Sequence, residues 1–589
     1  MMRTIALAIV VMGSACGPSG RGDDMPPTAH IEISPPDLSV TVIDGAAITQ
    51  PYTATLVDPD GSSKDITANV HFTLADPVFG NWQGATLTVS GTGAGPTRVL
   101  ATDGTTQGET SLTVYVKGTR SDGAVPAGAS GMFDTAVETA GRAPQIAYPA
   151  DSILVPPNLG EFEVHWRDTT NNLFEISLHN AYVDLRIYKA ASGNSFTDYT
   201  PNEWFTLASP RQKLALTVAG LNTSNPTQKG TSSAQTVEVT NEIVQGGMYY
   251  WTTQPTQGVY RYDMSTPSMP PSSFFMPNQQ PTNCIGCHSL SKDGTKMALT
   301  LDSGDGRGTI YNVSDYSVLV PFQTNAQYWN FATFTPDASK LVTLYHGQLS
   351  LRSTSGGAVI ANIPSNTGVS ATHPELSPDG TRLANVETTQ PFYDFQVNDG
   401  TIVTRTFDDG TNTFGPIQTL VANAAGASNY YPSWSPDGQW ILFTRTSGNS
   451  YNDSSAQIWV VKADGSKPPV QLSIANQGAG LTNSWARWAP FQQSYGDQNQ
   501  PLFYLTFSTV RPFGVRSAGG TQIWMSPFFP DRADAGMDPS GPAFRMPFQR
   551  LDTANHIAQW TQAVVIGRKP DGSPLTQAEA HGEFPPSRR

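Results

Sequence analysis

Four stretches of the chain nearly superimpose on one another, and this internal repeat constrains the fold more than any other feature of the sequence. Each stretch holds an apolar anchor residue, a Ser or Thr, a turn built on Pro, Asp or Gly, and then an alternating apolar strand. Because Asp and Gly permit a tight reversal, each copy predicts two antiparallel strands. The four copies are HSLSKDGTKMALT from His288, ATFTPDASKLVTL from Ala332, PELSPDGTRLANV from Pro374 and PSWSPDGQWILFT from Pro432.

Two degenerate copies, SWARWAP and HIAQWTQ, extend the series to six. Successive anchors lie 44, 42, 58, 54 and 72 residues apart, and each interval is long enough for a four-stranded sheet with its loops. Strands that recur at this period are typical of β-propellers, in which each repeat forms one blade. The six anchors are Leu290, Phe334, Leu376, Trp434, Trp488 and Trp560.

The best copy, Trp434–Gly438, reads WSPDG, and a later strand, Ile458–Gly465, reads IWVVKADG. These residues resemble the repeats of the TolB-type, WD40-like propeller family, and the resemblance covers residues 246–566. It implies a six-bladed β-propeller. Only one strand fits after Trp560 before the polar tail at 567–589, which we expect to be disordered. The missing strands of the sixth blade should therefore precede the first anchor, in MYYWTTQ and GVYRYDMSTP, so that both ends of the domain close that blade.

Two further β-rich modules precede the propeller. The chain has 53 Gly and 46 Pro in 589 residues, a composition that suits short strands and turns better than helices. Residues 31–117 resemble bacterial Ig-like repeats, and residues 143–245, with Trp166 in the core, resemble a fibronectin III-like β-sandwich. Residues 118–142, rich in Gly and Ala, are expected to be a linker. The predicted fold class is all-β: an Ig-like sandwich, a second fibronectin III-like sandwich and a C-terminal six-bladed propeller. We expect the histidines of the two modules to be structural: His71, His165 and His179.

The chain has three cysteines, a number that excludes a disulfide-stapled scaffold. Two of them belong to Cys284–His288, CIGCH, which matches the C-x-x-C-H attachment motif of c-type haem. The motif implies one haem c, attached covalently at Cys284 and Cys287, with His288 as a ligand of the iron. A thioredoxin-like redox pair requires a βαβ context, and structural zinc needs four ligands. A plain disulfide stays open as an alternative.

The sixth ligand of the haem iron is sought among residues near the repeat anchors. We expect the positions three before each anchor to line the propeller mouth and to pack around the porphyrin. His373 belongs to this set, and His556 lies one position before Ile557, another member. The candidate sixth ligand is therefore His373 or His556. Met276 and Met297 are thioether alternatives, and an open sixth position would permit peroxide chemistry. The set, which we call the axial ring, is Cys287, Phe331, His373, Tyr431, Trp485 and Ile557.

The N-terminus reads MMRTIALAIVVMGSAC, with one Arg before the eight apolar residues Ile5–Met12. This pattern predicts a signal peptide over residues 1–15, and the apolar run is too short to span a membrane. The ending at Cys16 resembles the lipobox of bacterial lipoproteins, which implies that Cys16 is lipidated and that residues 16–30 form a tether. Gly17 then implies the outer membrane, facing the periplasm or the cell surface. An ordinary secretory signal is the alternative.

These features together predict an exported, lipid-anchored haem c protein that transfers single electrons to a redox partner or another extracytoplasmic protein. The alternative is a non-catalytic propeller that binds a protein or a ligand and uses the haem structurally; a haem peroxidase comes third. An electron carrier or binding protein is therefore favoured over an enzyme. The net charge of −14 argues against a nucleic-acid partner. Neither a G-x-S-x-G elbow nor an H-E-x-x-H zinc motif is present, which disfavours a hydrolase.

Overall fold

A computed structural model describes residues 28–565 apart from positions 123, 192–194, 210, 268, 278–283, 302–305, 323–327, 391–394 and 451. This part of the chain contains 45 strands and three short α-helices, which confirms the all-β prediction. None of the helices described there is long and apolar enough to cross a bilayer. The predicted signal peptide, the Cys16 lipidation site, most of the tether and the tail at 567–589 lie outside the described residues.

The chain divides into two compact units, and the first contains residues up to Val40, Ala47–Ser90 and Pro96–Thr113. Its strands pair antiparallel in the orders β1–β4–β5 and β3–β8–β7, and β6 pairs with β9. Phe72 and Trp82 stack with ring centroids 5.1 Å apart and form part of the core. The strands that begin in this part of the chain are β1 His30–Ser34, β2 Leu38–Ile43, β3 Ile48–Pro51, β4 Thr53–Val57, β5 Ser63–Asp65, β6 His71–Leu74, β7 Asn81–Gln83, β8 Thr86–Val89, β9 Gly95–Thr102 and β10 Gln107–Asp122.

The second unit begins with a β-rich module that precedes the propeller. Strand β15 lies between β16 and β18, antiparallel to both, and β12–β14–β17 form a second small sheet. Trp166 on β14 is only 1% exposed and packs 5.1 Å from Phe174, as the sequence predicted for a core residue. The elements of the module are α1 Ala129–Thr135, β11 Val137–Glu138, β12 Gln145–Tyr148, β13 Ile153–Val155, β14 Phe162–Arg167, β15 Leu173–His179, β16 Val183–Ala190, β17 Ser195–Tyr199, α2 Pro201–Ala208, β18 Leu214–Asn222, β19 Asn225–Thr231 and β20 Gln235–Val239.

The prediction of a linker over residues 118–142 is wrong. Strand β10 continues to Asp122 and pairs in parallel with β16, helix α1 follows, and β11 pairs in parallel with β19. Phe133 of α1 is buried and packs 5.7 Å from Tyr188. Ala129 and Phe133, four residues apart, form the buried apolar face of this short helix and dock it in a core that includes Tyr188. These parallel pairings, together with β13 on β20, also depart from the purely antiparallel sheets expected of a fibronectin III-like sandwich.

Six successive sheets follow, one for each predicted repeat. Five of them run outward in chain order, β24–β25–β26–β27, β28–β29–β30–β31, β32–β33–β34 with β35 and β36, β37–β38–β39–β40 and β41–β42–β43–β44. The strands are β21 Gly247–Gln254, β22 Gly258–Asp263, β23 Ser272–Phe275, β24 Ile285–Leu290, β25 Lys296–Leu301, β26 Arg307–Asn312, β27 Val318–Val320, β28 Ala332–Phe334, β29 Lys340–Tyr345, β30 Gln348–Ser353, β31 Val359–Ile363, β32 Ser370–Leu376, β33 Arg382–Thr388, β34 Thr401–Asp408, β35 Thr413–Phe414, β36 Gln418–Val421, β37 Ser428–Trp434, β38 Trp440–Thr446, β39 Gln457–Lys462, β40 Val470–Gln471, β41 Ser484–Tyr495, β42 Gln500–Thr509, β43 Gln522–Phe528, β44 Phe544–Arg545 and β45 Ala554–Thr561; helix α3 is Pro530–Asp534.

The sixth sheet is built from both ends of the domain. Its order is β23–β22–β21–β45, so the last strand of the propeller completes a sheet begun by the first three. Strands β21 and β45 pair antiparallel, with Gly247 opposite Thr561 and Met248 opposite Trp560. Closure of this kind removes the two strand edges that an open ring of sheets would expose. The six blades and their closure by both ends confirm the prediction.

The turn of the repeat is held by three side-chain hydrogen bonds in addition to backbone bonds. The Ser435 hydroxyl donates to Asp437 over 2.5 Å, the Asp437 carboxylate accepts the Gln439 backbone N–H at 3.0 Å, and the Trp440 N–H donates to the Ser435 hydroxyl at 2.9 Å. Gly438 has a φ of 69°, in the left-handed region that Gly adopts without strain. The same three bonds recur around three more turn aspartates: Asp293, Asp337 and Asp379.

The module before the propeller packs against the fifth blade. His165 is completely buried; its Nδ1 lies 3.1 Å from the Phe513 carbonyl oxygen and its Nε2 lies 2.7 Å from the Glu163 carboxylate. Glu163 also accepts a hydrogen bond from Arg516. Burial by itself raises the pKa of Glu163, but the bonds from His165 and Arg516 outweigh it and lower the pKa overall. His165 therefore has the structural role that the sequence predicted.

Candidate functional site

The first strands of the six blades line the central channel. The first strand of every blade contributes residues to the wall of one small cavity on the axis. In the second blade, the residue directly before β28 contributes as well. Its volume is about 20 Å³, which is room for about one water molecule. The whole axial ring faces this cavity: Cys287, Phe331, His373, Tyr431, Trp485 and Ile557.

A repeated irregularity of the backbone places the ring side chains. In four of the six blades the ring residue has a φ between 47° and 58°, a left-handed conformation that costs a residue other than Gly about 1 kcal/mol or more. In the same four blades the first strand carries one extra residue relative to its partner, so the ladder shifts at this point. The four residues are His373, Tyr431, Trp485 and Ile557.

The ring side chains pack against one another. Tyr431 and Trp485 stack with centroids 3.6 Å apart, His373 lies 4.2 Å from Tyr431, and Phe331 lies 4.6 Å from His373. The axial-ring side chains therefore contact one another, and their packing around a porphyrin stays a prediction. Aromatic side chains from neighbouring blades fill the axis by stacking, because the first strands converge there.

His288 lies beside the axial cavity and is only 3% exposed. Its Nε2 is 3.4 Å from the Tyr249 carbonyl oxygen, whereas its Nδ1 has no hydrogen-bond partner in the described part of the chain. Burial lowers the pKa of His288 to about 4, and the positive charge of Arg487 adds to this effect. The imidazole is therefore neutral at neutral pH, which is the form that ligates metals.

The structure separates the two candidate sixth ligands. His373 is 4% exposed, faces the same cavity as His288, and neither of its ring nitrogens has a partner among the described residues. Burial, aided by Arg487, lowers the pKa of His373 well below its usual value. His556 packs against Trp251 with centroids 6.2 Å apart, and burial lowers its pKa to about 4. His373 thus lines the same cavity as His288. In the sixth blade, Ile557 lines this cavity and the neighbouring His556 does not.

Cys284 and Cys287 are both partly exposed and are not joined in a disulfide. Cys287 faces the axial cavity, whereas the Cys284 sulfur lies 3.7 Å from the Gln257 side-chain nitrogen, in the turn between β21 and β22. The β24–β25 ladder shifts between Ile285 and His288, so Gly286 and Cys287 form a bulge. Part of the attachment motif therefore lies outside the regular ladder.

The residues present fit haem c in chemistry but not in space. Two thiols that are not in a disulfide belong to the same short motif as a buried neutral imidazole whose Nδ1 is unsatisfied, which is the donor set that attachment and ligation require. The axial cavity has room for about one water molecule and none for a macrocycle. Across the described ranges, no group of three His, Cys, Asp or Glu side chains is placed to hold a metal ion directly.

A second ring of polar side chains was missed by the sequence reasoning. The residue immediately before each anchor is polar in all six repeats, and these side chains line a larger cavity at the anchor end of the channel, of about 170 Å³. The signal was present in the aligned repeats, where a polar residue always precedes the apolar anchor. The ring is Ser289, Thr333, Glu375, Ser433, Arg487 and Gln559.

No protein-family model matches the chain, and no curated protein is similar to it in sequence. Similar solved structures include TolB from Acinetobacter baumannii, at 12% identity over 59% of this chain and 79% of the other, with a TM-score of 0.34. Kuenenia stuttgartiensis hydrazine synthase matches at 15% identity over 47% and 71%, with a TM-score of 0.27. The dihydro-heme d1 dehydrogenase NirN matches at 13% identity over 48% and 58%, with a TM-score of 0.28. The similarity is weak and concerns the fold alone.

Proposed function

We propose that this chain is an exported, lipid-anchored propeller protein that carries one haem c and transfers single electrons to an extracytoplasmic partner. The observation that carries the proposal is the C-x-x-C-H sequence at Cys284–His288, which combines two thiols outside any disulfide with a buried, neutral imidazole. Cys284 and Cys287 would hold the group and His288 would ligate its iron. When bound, haem c supplies a one-electron redox centre. The lipid on Cys16 would fix the protein to the membrane.

The surroundings of His288 support His373 over His556 as the second nitrogen ligand. His373 faces the same cavity and, like His288, has a lowered pKa and an unsatisfied nitrogen among the described residues. Because the axial cavity is small, binding requires the axial-ring side chains to separate.

Covalent haem tests the proposal directly. The full chain is expressed with an export signal in a host that matures c-type cytochromes, and haem retained after denaturing electrophoresis is measured together with the visible spectrum. We expect retained haem in the wild type and its loss in the Cys284→Ser/Cys287→Ser variant. Cys16→Ser is the matched control, since it removes a thiol of another motif and should keep the haem. A folded wild type without covalent haem overturns the proposal and favours a ligand-binding propeller.

A further inference from the structure

The cavity at the anchor end of the channel is lined by charged side chains to which the haem proposal assigns no role as ligands. Besides the second polar ring, its wall holds Lys292 and three indole side chains of the anchors. Three of its side chains are charged, two positive and one negative, and they come from blades one, three and five. We call them the charged triad: Lys292, Glu375 and Arg487.

The members of the triad attract one another, since Arg487 and Lys292 both favour the charged form of Glu375, but none is close enough to another for a direct ion pair. Among the described residues, no member makes an ion pair within 4.0 Å, and the Arg487 Nε is buried with no hydrogen-bond partner. The remaining bonds of the Arg487 guanidinium are long, 3.3 and 3.4 Å, to backbone carbonyl oxygens. Burial raises the pKa of Glu375 and lowers that of Lys292, so a ligand of matching charges would stabilise the charged form of both. The triad has the charges of a binding site whose counter-charges come from a ligand.

The hydroxyl groups of the same ring are engaged in holding the blades together. The Ser289 hydroxyl donates to the Ala332 carbonyl oxygen at 2.6 Å, and the Thr333 hydroxyl accepts the Leu376 N–H at 3.2 Å. These bonds join first strands of adjacent blades, so both hydroxyls are held by the fold. The charged triad supplies the charges that the cavity offers to a bound molecule.

We propose that this cavity binds a free α-amino acid, whose carboxylate pairs with Arg487 and Lys292 and whose ammonium group pairs with Glu375. Carboxylates suit the fork of a guanidinium, and an ammonium group suits a carboxylate. The volume of about 170 Å³ is below the roughly 300 Å³ at which pockets begin to suit drug-sized ligands. Glu375 repels a phosphate or a dicarboxylate, and the two cations repel a simple amine, so the triad selects a zwitterion.

Thermal unfolding of the full chain with each of the twenty free L-amino acids at millimolar concentration is the first measurement. We expect at least one of them to raise the unfolding temperature. Calorimetric titration then compares that amino acid with its deaminated acid and its decarboxylated amine. Both analogues should bind at least about tenfold more weakly, because each leaves part of the triad unpaired. Arg487→Gln and Glu375→Gln should each weaken amino-acid binding by a similar factor, and Lys292→Gln provides a third variant if either fails to fold.

Glu375→Gln distinguishes the proposed site from a general anion site, since it should weaken amino-acid binding while improving binding of the deaminated acid. Arg98→Gln and Glu109→Gln are the matched controls, because these residues form an exposed ion pair and the substitutions remove the same charges elsewhere. Three outcomes overturn the proposal: no shift with any amino acid, unchanged affinity in the Glu375→Gln variant, or tighter binding of succinate or inorganic phosphate than of any amino acid. None of these measurements depends on the presence of haem.

Discussion

At the scale of single residues, the anchor tryptophans have a role beyond filling the core. The Trp434 Nε1 donates to the Glu375 carbonyl oxygen at 3.1 Å, and the Trp488 Nε1 donates to the Ser433 carbonyl oxygen at 3.0 Å. In both cases the acceptor directly precedes the anchor of the previous blade. The indole N–H of one blade therefore fixes the first strand of its neighbour. A Leu or Phe anchor buries comparable apolar surface but lacks this bond.

Trp434→Phe should destabilise the protein by about 1 kcal/mol more than the loss of ring area explains, since it leaves the Glu375 carbonyl without its donor. The measurement is the free energy of unfolding in urea. Trp459→Phe is the matched control, because the Trp459 indole N–H is buried and has no hydrogen-bond partner in the described ranges. Equal losses of stability in the two variants contradict the proposed role.

The turn aspartates make stability depend on pH. Hydrogen bonds, above all from the Thr335 hydroxyl at 2.6 Å, lower the pKa of Asp337 to about 2. A carboxyl whose folded pKa lies below its unfolded value of about 4 stabilises the fold above that pH, and the stabilisation is lost as the pH falls towards 2. The stability difference between wild type and Asp337→Asn should therefore shrink between about pH 4 and pH 2.

Chemical denaturation at several pH values measures this difference. Thr335→Ala provides a check, because removing the main donor should raise the pKa of Asp337 as followed by NMR titration. A difference between wild type and Asp337→Asn that stays constant over the acid range speaks against the role of the carboxylate.

At the scale of secondary-structure elements, two features of the first strands decide the shape of the channel. Their bulges turn the axial-ring side chains inward, and strand β45 supplies the inner strand of the sixth blade. Ile557 shows how strongly the geometry is imposed, since a β-branched residue holds a φ of 51° there. Strand β45 therefore closes the ring of blades and also forms part of the channel wall.

A chain that ends at Thr553, before β45, should not form a cooperatively folded propeller, because the edge of β21 is then unpaired. Circular dichroism during thermal unfolding and light scattering should show a broad transition and association. A synthetic peptide of residues 554–565 added in trans should restore a sharp transition. The chain that ends at Val565 controls for shortening as such, and an equally stable chain without β45 would refute the closure.

At the scale of the whole molecule, the module before the propeller and the propeller itself are joined by buried polar contacts. The Asn158 side chain donates to the Val244 and Met264 carbonyl oxygens at 2.8 and 2.6 Å. The Asn241 side chain donates to the Ser494 hydroxyl at 3.1 Å in the fifth blade. Together with the contacts of Glu163 with His165 and Arg516, these bonds make the module and the propeller one compact unit. We expect them to unfold together.

Glu163→Gln should lower the stability of this unit by about 1.5–3 kcal/mol, because it removes the charged acceptor of Arg516 and His165. Calorimetry and tryptophan fluorescence should report one shifted transition for module and propeller. Glu109→Gln, in the exposed Arg98–Glu109 pair, should change stability by less than about 1 kcal/mol. Separate transitions, with only one of them shifted, would show that the two parts fold independently.

The sequence by itself determined the features that depend on neighbouring residues. The Ser435–Asp437 turn closes within a few positions, so its repetition revealed the blades, and counting strands on either side of Leu290 and Trp560 revealed the closure. The C-x-x-C-H motif is equally local. The linker prediction failed because the docking of α1 depends on Phe133 meeting Tyr188, far away in the chain.

Only the tertiary structure decided what meets on the axis. Lys292, Glu375 and Arg487 stand almost two hundred residues apart from first to last, yet they line one cavity because six first strands converge. The same convergence packs the axial-ring side chains against one another. It also brings His373, rather than His556, to His288. Local sequence specifies each strand and turn, but the channel is a property of how the blades pack, since each of its side chains is placed by contacts with a different blade.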